Sequence, residues 1–367
     1  MAASINVKNT SKSIGSYIFS KIPYVSIDLG TTNTIVYIKG QGIVFNEPTV
    51  MVRDIRTGDI YTFGKSALLI EERLNRNFVA IRPLAAGVIS DFRATFEYLE
   101  KVMDEVLPKE KEKGVVVMAV PSKITKLELK AMKAIAHRLG FPYVFIEEEV
   151  KMSALGVGVD IFSSQASLTV DIGGGTTDIA IIASGNVVAS RSVKIAGRYF
   201  DEKICKFLRD KYLINISMHF AERLKINQLD LTLNPDDARA GEIVYVYGES
   251  LITRLPKKVK IKRYEITKAL LPVVRRIAIE IHNLIESAPA QLVGDIKQSG
   301  MFLAGGGAAL LGLDSYFEEK FKLEVVVGED PLSSVINGTI KYDDTIAERL
   351  SDYENWLALE EIYLGGY

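Results

Sequence analysis

The stretch LTVDIGGGTTDIAII, residues 168–182, decides the reading of this chain. An apolar run with Leu168 and Val170 reaches Asp171. Three glycines, Gly173, Gly174 and Gly175, then precede Thr176, Thr177 and a second apolar run. Apolar runs on either side of a glycine turn read as the two strands of a hairpin. A relative, VSIDLGTTNTIVYI, occupies residues 25–38. Each copy runs apolar strand, Asp, apolar residue, Gly, small residues, Thr, apolar strand. Asp28 and Asp171 lie 143 residues apart, about one domain's length. This spacing predicts two related domains, each contributing one glycine hairpin.

The composition of the turns points to a phosphate tail. Successive backbone N–H groups in a tight glycine turn form a nest for anions, and glycine lets a ligand approach the main chain closely. Thr31, Thr32, Thr176 and Thr177 add hydroxyl donors. Asp28 and Asp171 would repel phosphates unless a cation lay between them. Mg²⁺ binds phosphate oxygens and keeps waters that carboxylates can hold, so both aspartates are candidate metal residues. A third glycine cluster, Gly305, Gly306 and Gly307 in GMFLAGGGAALLG, follows an apolar run and precedes a helical stretch. There a base or sugar could lie against backbone. Two decoys fail on spacing. GDIYTFGKS (58–66) has five residues between its glycines where a P-loop has four, and LAGGGAALLG has Leu310 where G-x-G-x-x-G needs a third glycine.

The rest of the chain bounds the answer. Hydrophobic residues at 48% and charged residues at 25% of 367 suit an α/β chain with a full core. A net charge of -1 gives no field favouring nucleic acid, and no nucleic-acid motif is present. With Cys205 the only cysteine, no disulfide can form within the chain, which fits a reducing compartment. Cys205 reads as a core residue. His137, His219 and His282 are scattered and match no metal-ligand spacing. Strand-like and helix-like segments alternate, with helices predicted over Phe92–Val106 and Thr125–Leu139 and a buried strand over 114–120. The pattern predicts mixed sheets covered by helices.

DLGTTNT (28–34), DIGGGTTD (171–178) and LAGGGAAL (303–310) resemble the two phosphate motifs and the adenosine motif of the actin, sugar kinase and heat-shock chaperone superfamily. Within it, GIVFNEPTV (42–50), AIRPLAAGVISDF (80–92), AERLKI (221–226) and EDPLSSVING (329–338) resemble, in order, the bacterial actins of the MreB family. The resemblance runs from about Tyr24 onward. It implies an actin-like bilobal fold of two related domains and four subdomains. Domain I would span 24–158, with a smaller subdomain at about 53–90. Domain II would span 159–338, with a smaller subdomain at about 198–255, and 339–367 would return to domain I. It also implies ATP or ADP with Mg²⁺ in the cleft, ATP hydrolysis coupled to filament turnover, and a homopolymer of double protofilaments. The implied location is cytoplasmic and cytoskeletal, at the inner face of the cell membrane, with cytoskeletal or membrane partners.

Carried over residue by residue, the resemblance implies that Asp28 and Asp171 organise Mg²⁺ through water. Gly30, Thr31, Thr32, Asn33, Gly173, Gly174, Gly175 and Thr176 would hold phosphates. Glu222 and Lys225 would approach ribose and base beside Gly305, Gly306 and Gly307. Glu149, in FIEEEVKMSALGVG, falls where the family orients the attacking water. The family usually continues with Pro and Met; this chain has Val150 and Lys151, which puts the hydrolysis rate in question. AGRYFD (196–201) departs from the usual two glycines through Ala196 and Arg198.

Residues 1–23 differ in kind, with Lys8, Lys12 and Lys21 and no acid. Ile14, Ile18 and Ile22 recur every four residues near Tyr17 and Phe19. That spacing predicts an amphipathic helix from about Ser11 to Lys21 on an anionic membrane surface. The alternative membrane loop of the family, here VLPKEKEKG (106–114), has little apolar tip. A soluble ATPase of the chaperone or sugar-kinase type is the competing reading. It shares the hairpins but requires a peptide-binding domain or a second-substrate insertion, neither of which is recognisable.

Overall fold

The computed structural model describes residues 23–85, 87–107, 114–121 and 124–350, and the counts below refer to these. The helix predicted within residues 1–23 lies outside them.

The first half builds one five-stranded sheet. Strands β1 (Tyr24–Leu29), β2 (Asn33–Ile38) and β3 (Gly42–Pro48) form an antiparallel meander. The chain then leaves to make a small sheet of β4 (Met51–Asp54), β5 (Ile60–Phe63) and β6 (Phe78–Ile81), which carries helix α1 (Gly64–Glu71). A two-stranded ribbon, β7 (Leu84–Ala85) and β8 (Val88–Ile89), leads to α2 (Phe92–Val106). After it come β9 (Val115–Val120), α3 (Lys126–Arg138) and β10 (Tyr143–Glu148), and the sheet order is β10-β9-β1-β2-β3. Every residue of β9, VVVMAV, is buried, as a parallel strand covered on both faces must be. Local chemistry sets the helix starts. Asp91 accepts from the Ala94 N–H at 3.0 Å, and Thr125 with Glu128 closes a capping box. The helices predicted over 92–106 and 125–139 are therefore present, the second as helix plus its two caps.

The second half repeats this plan. After α4 (Glu149–Gly156), strands β11 (Ser167–Ile172), β12 (Thr177–Ala183) and β13 (Asn186–Val193) form another antiparallel meander. Helix α5 (Gly197–Tyr212) leads into an inserted sheet of β14 (Ile214–Asn215), β15 (Ile243–Ser250) and β16 (Pro256–Lys262), interrupted by α6 (Met218–Gln228). Helices α7 (Arg263–Ser287) and α8 (Ala290–Ser299) return the chain to β17 (Met301–Ala304). Helix α9 (Leu313–Phe321) and β18 (Val325–Val327) complete the sheet in the order β13-β12-β11-β17-β18. Hairpin, third antiparallel strand, then two parallel strands: the sequence repeat is a repeat of topology.

Each half has its own core, and a third apolar cluster joins them. It combines Tyr24, Val115 and Val117 of the first sheet with Ala180 and Ile182 of the second, around Val150, Met152 and Ala154 of α4 and Ile346 and Leu350. Helix α10 (Ser334–Lys341) lies against α4 at unusually close range. A Cβ on Gly156 would stand 1.8 Å from the Ser334 carbonyl oxygen, and one on Gly338 1.7 Å from that of Met152. Only glycine permits this approach.

Candidate functional site

The two predicted hairpin turns share one backbone form. Gly30 N donates to the Asn33 carbonyl at 3.0 Å, and Gly173 N donates to the Thr176 carbonyl at 2.9 Å. They meet face to face. A Cβ on Gly174 would lie 1.6 Å from Thr32 Oγ1, and one on Gly175 2.8 Å from Thr31 Oγ1. A third segment closes over them: Gly87 N donates to Thr31 Oγ1 at 2.9 Å, and the space above Gly87 ends at Thr176 Cγ2, 3.0 Å away. Thr31, Thr32, Gly174, Gly175 and Thr176 thus stand together, although 143 residues separate their two motifs.

Behind the turns lies a cluster of carboxyl groups. Asp28 and Asp171 sit at matching positions, on β1 and β11, one residue before the strand end. Burial pushes each carboxyl up to about 7, and repulsion from Asp178 and Asp28 adds to the shift of Asp171. Burial, then Asp28, Asp178 and Asp171, raise the Glu149 carboxyl well above the usual carboxylate range. Glu149 opens α4 directly after β10, whose parallel register brings Glu147 beside Ala119, the residue that also pairs with Asp28. Carboxyl groups of this kind could hold a hydrated Mg²⁺ through its waters. Among the described residues no group of three or more His, Cys, Asp or Glu side chains could grip an ion directly.

The third glycine cluster packs on the same carboxylates. Ala304 is the parallel partner of Asp171, and a Cβ on Gly305, at φ +75°, would stand 2.3 Å from Asp171 Oδ1. Gly307 lies against Ile172, and Gly306 against Leu332. The segment after α6 is tied to this loop, since Leu231 N donates to the Leu311 carbonyl at 2.9 Å.

Two expected ligands are engaged elsewhere. Thr177 is fully buried and donates its hydroxyl to the Ile195 carbonyl at 2.6 Å, so it closes the base of the hairpin instead of facing the cleft. The side chain of a strand's first residue alternates away from its neighbour, which is why Thr176 faces the site and Thr177 does not. Lys225 is buried, 2.9 Å from Asp201 and 3.2 Å from the Gly197 carbonyl. It anchors the start of α5, where Gly197 N and Arg198 N donate to the Gly173 and Gly174 carbonyls at 3.0 and 2.9 Å. This docking uses the segment at which AGRYFD departs from the expected glycine pair. Glu222 is half-exposed, 3.8 Å from His219.

Other expectations resolve simply. The decoy GDIYTFGKS forms β5 and the start of α1, where Lys65 N donates to Glu47 Oε2 at 3.0 Å, so a carboxylate of the chain itself fills the anion position. Cys205 is half-buried against the core of the second half. Lys151 is largely buried and pairs with Glu147 at 3.4 Å. Sequence reasoning missed Asp178 as a member of the carboxylate cluster. The signal was available in the hairpin register, which sets Asp178 opposite Asp171.

Comparison with known proteins agrees with this geometry. The family model described as MreB/Mbl protein matches residues 23–351. The cell shape-determining protein Mbl of Bacillus subtilis is 38% identical over 320 residues, 86% of this chain and 94% of that protein. The cell shape-determining protein MreB of Escherichia coli K12 is 37% identical over 320 residues, 86% of this chain and 91% of that protein. Among solved structures, MreB5 of Spiroplasma citri bound to ADP superposes with a TM-score of 0.85 at 37% identity, covering 90% of this chain and 98% of that one. A second structure of MreB5 holds AMPPNP. The MamK double helical filament, at 20% identity and a TM-score of 0.73, shares the fold.

Proposed function

Since the chain belongs to the MreB/Mbl family of actin-like cell shape-determining proteins, we propose that it binds ATP with Mg²⁺ at the paired hairpins, hydrolyses it, and polymerises into cytoskeletal filaments. The observation that carries this reading is the meeting of two equivalent glycine turns in front of buried carboxylates. Gly30, Thr31, Thr32 and Asn33 from one side, and Gly173, Gly174, Gly175 and Thr176 from the other, offer N–H and hydroxyl donors to phosphates. Asp28 and Asp171 hold the waters of Mg²⁺, which when bound supplies positive charge to the phosphates. Glu149 orients the attacking water; its buried carboxyl ionises readily only with a cation nearby. Gly305, Gly306 and Gly307 line the base and sugar, with Glu222 at the pocket rim. The nucleotide complexes of MreB5 support nucleotide binding here.

On this reading 24–158 and 159–338 are the two domains, and the last segment returns to the first. The contacts of Tyr24 with the Thr339 carbonyl at 2.7 Å and of Lys39 with Asp343 at 2.8 Å support that return. Filaments lie at the inner face of the cell membrane, with residues 1–23 as the anchor. Liposome co-sedimentation that survives removal of those residues rejects the anchor. Function itself is tested by pelleting with electron microscopy. ATP-dependent, concentration-dependent sedimentation of filaments supports the proposal, whereas a chain that turns over ATP yet stays in the supernatant supports a soluble chaperone- or kinase-type ATPase.

A further inference from the structure

We infer that Lys151 is a positioning residue for Glu149, acting through a buried ionic junction by which the C-terminal stretch 334–350 clamps the helix that presents Glu149. The inference rests on the hydrolysis reading above.

Helix α4 begins at Glu149 without a side-chain cap on its first turn. Its placement must come from tertiary contacts, and these come largely from one segment. At the N-terminal end, Lys151 Nζ lies 3.4 Å from Glu147 Oε2 and donates to the Tyr342 hydroxyl at 3.0 Å, with the ammonium 4.9 Å from the Tyr342 ring centre. Arg349 pairs with the other Glu147 oxygen and stacks over Phe145. Phe162 stacks on the Tyr342 ring. Along the helix, the Gly338–Met152 and Gly156–Ser334 contacts leave no room for a methyl group. At the C-terminal end, Lys341 Nζ donates to the Leu155 and Gly156 carbonyls at 3.2 and 3.1 Å, satisfying the acceptors a helix end exposes.

The junction is buried where it matters: the side chains of Glu147 and Lys151 are 8% and 13% exposed. Breaking a buried pair by removing one partner is costly, because the other charge is left uncompensated. Glu147 is two residues from Glu149 and belongs to the strand that feeds α4. A shift of Glu147 therefore moves the Glu149 backbone with it. A displacement of about 1 Å in a positioning element typically slows chemistry by about 10²-fold. The chain thus uses an ammonium at 151 to fasten the hydrolysis helix to a segment 191 residues away in sequence. Whatever moves the C-terminal helix moves the residue that positions water.

The test uses the full chain with Mg²⁺ and ATP and measures single-turnover phosphate release beside equilibrium ATP affinity. Lys151→Met and Arg349→Ala are each expected to slow release about tenfold, with ATP affinity unchanged within about twofold. Lys151→Arg is expected to retain most of the rate. The decisive comparison is a double-mutant cycle: in a Glu149→Ala background, Lys151→Met is expected to cause no further slowing, since its target is gone. Wild-type release rates in both single variants, or slowing that adds fully to that of Glu149→Ala, overturn the inference while leaving the hydrolysis reading intact. A wild-type chain that binds ATP and releases no phosphate overturns the hydrolysis reading and this inference with it. Arg349, whose side chain is about half exposed, keeps the test open if Lys151→Met does not fold.

Discussion

The two hairpins are the same turn built for opposite purposes. Both close with a glycine N–H to the carbonyl three residues on, at 3.0 and 2.9 Å, and both pin a buried threonine to the next element. Thr34 meets the Thr49 hydroxyl at 2.8 Å, and Thr177 meets the Ile195 carbonyl at 2.6 Å. Between those points they diverge. The first turn projects Thr31 and Thr32; the second is bare backbone, and the first turn's side chains fill the space its Cβ atoms would need. The carboxylates diverge as well. Asp28 faces Ile35 across its hairpin, whereas Asp171 faces Asp178. A duplicated element has become a pair in which one half supplies side chains and the other supplies room and charge.

The largest expected effect comes from removing the room. Gly174→Ala puts a methyl 1.6 Å from Thr32 Oγ1 and 2.7 Å from its Cβ, so the turns must separate. Displacement on the scale of an ångström costs about 10²-fold in a positioned site. An ATP affinity about 100-fold weaker is expected, with only partial recovery when Thr32→Gly is added, since that change also removes a phosphate donor. Wild-type affinity for Gly174→Ala in a titration with fluorescent nucleotide breaks the complementarity described here.

A smaller effect separates the aspartates. Asp28→Asn and Asp171→Asn should each weaken Mg²⁺-dependent binding by about tenfold or more, as expected for groups that hold a cation through water. Metal-free stability should differ. Asp171→Asn relieves repulsion with Asp178 and should raise the melting temperature more than Asp28→Asn does. Equal thermal shifts in EDTA remove the asymmetry.

The pH dependence is smaller again and its sign follows from burial. Asp28 and Asp171 ionise near 7 in the folded chain and near 3.8 in the ordinary state. A carboxyl raised on folding binds its proton more tightly when folded. Its contribution is fully present below about pH 4 and is lost as pH rises through about 7. Metal-free protein should therefore melt about 3 °C or more lower at pH 8 than at pH 6. Mg²⁺ with nucleotide should narrow that gap. A metal-free melting temperature that rises over this interval contradicts the buried-carboxylate account.

The smallest effect concerns Thr177. Thr177→Val keeps shape but leaves the Ile195 carbonyl without its donor. It should cost about 1–2 kcal/mol in urea unfolding and leave nucleotide affinity unchanged. Lost affinity at unchanged stability returns Thr177 to the ligand set.

What the sequence determined by itself is what depends on short range. Strand, aspartate, glycine turn and threonine are encoded within a dozen residues, so both hairpins and their equivalence could be read directly. The helices over 92–106 and 125–139 were legible from their apolar spacing, whereas the caps that start them were seen only in the structure. The tertiary structure decided everything that requires two distant segments to share one place. It turned Lys225 away toward Asp201, tied Thr177 to Ile195, and joined Glu147 to Arg349 across 202 residues. A side chain's chemistry is written at its position, but its partner is chosen by packing. A buried charge or hydroxyl takes whichever partner the closed fold brings within about 3 Å.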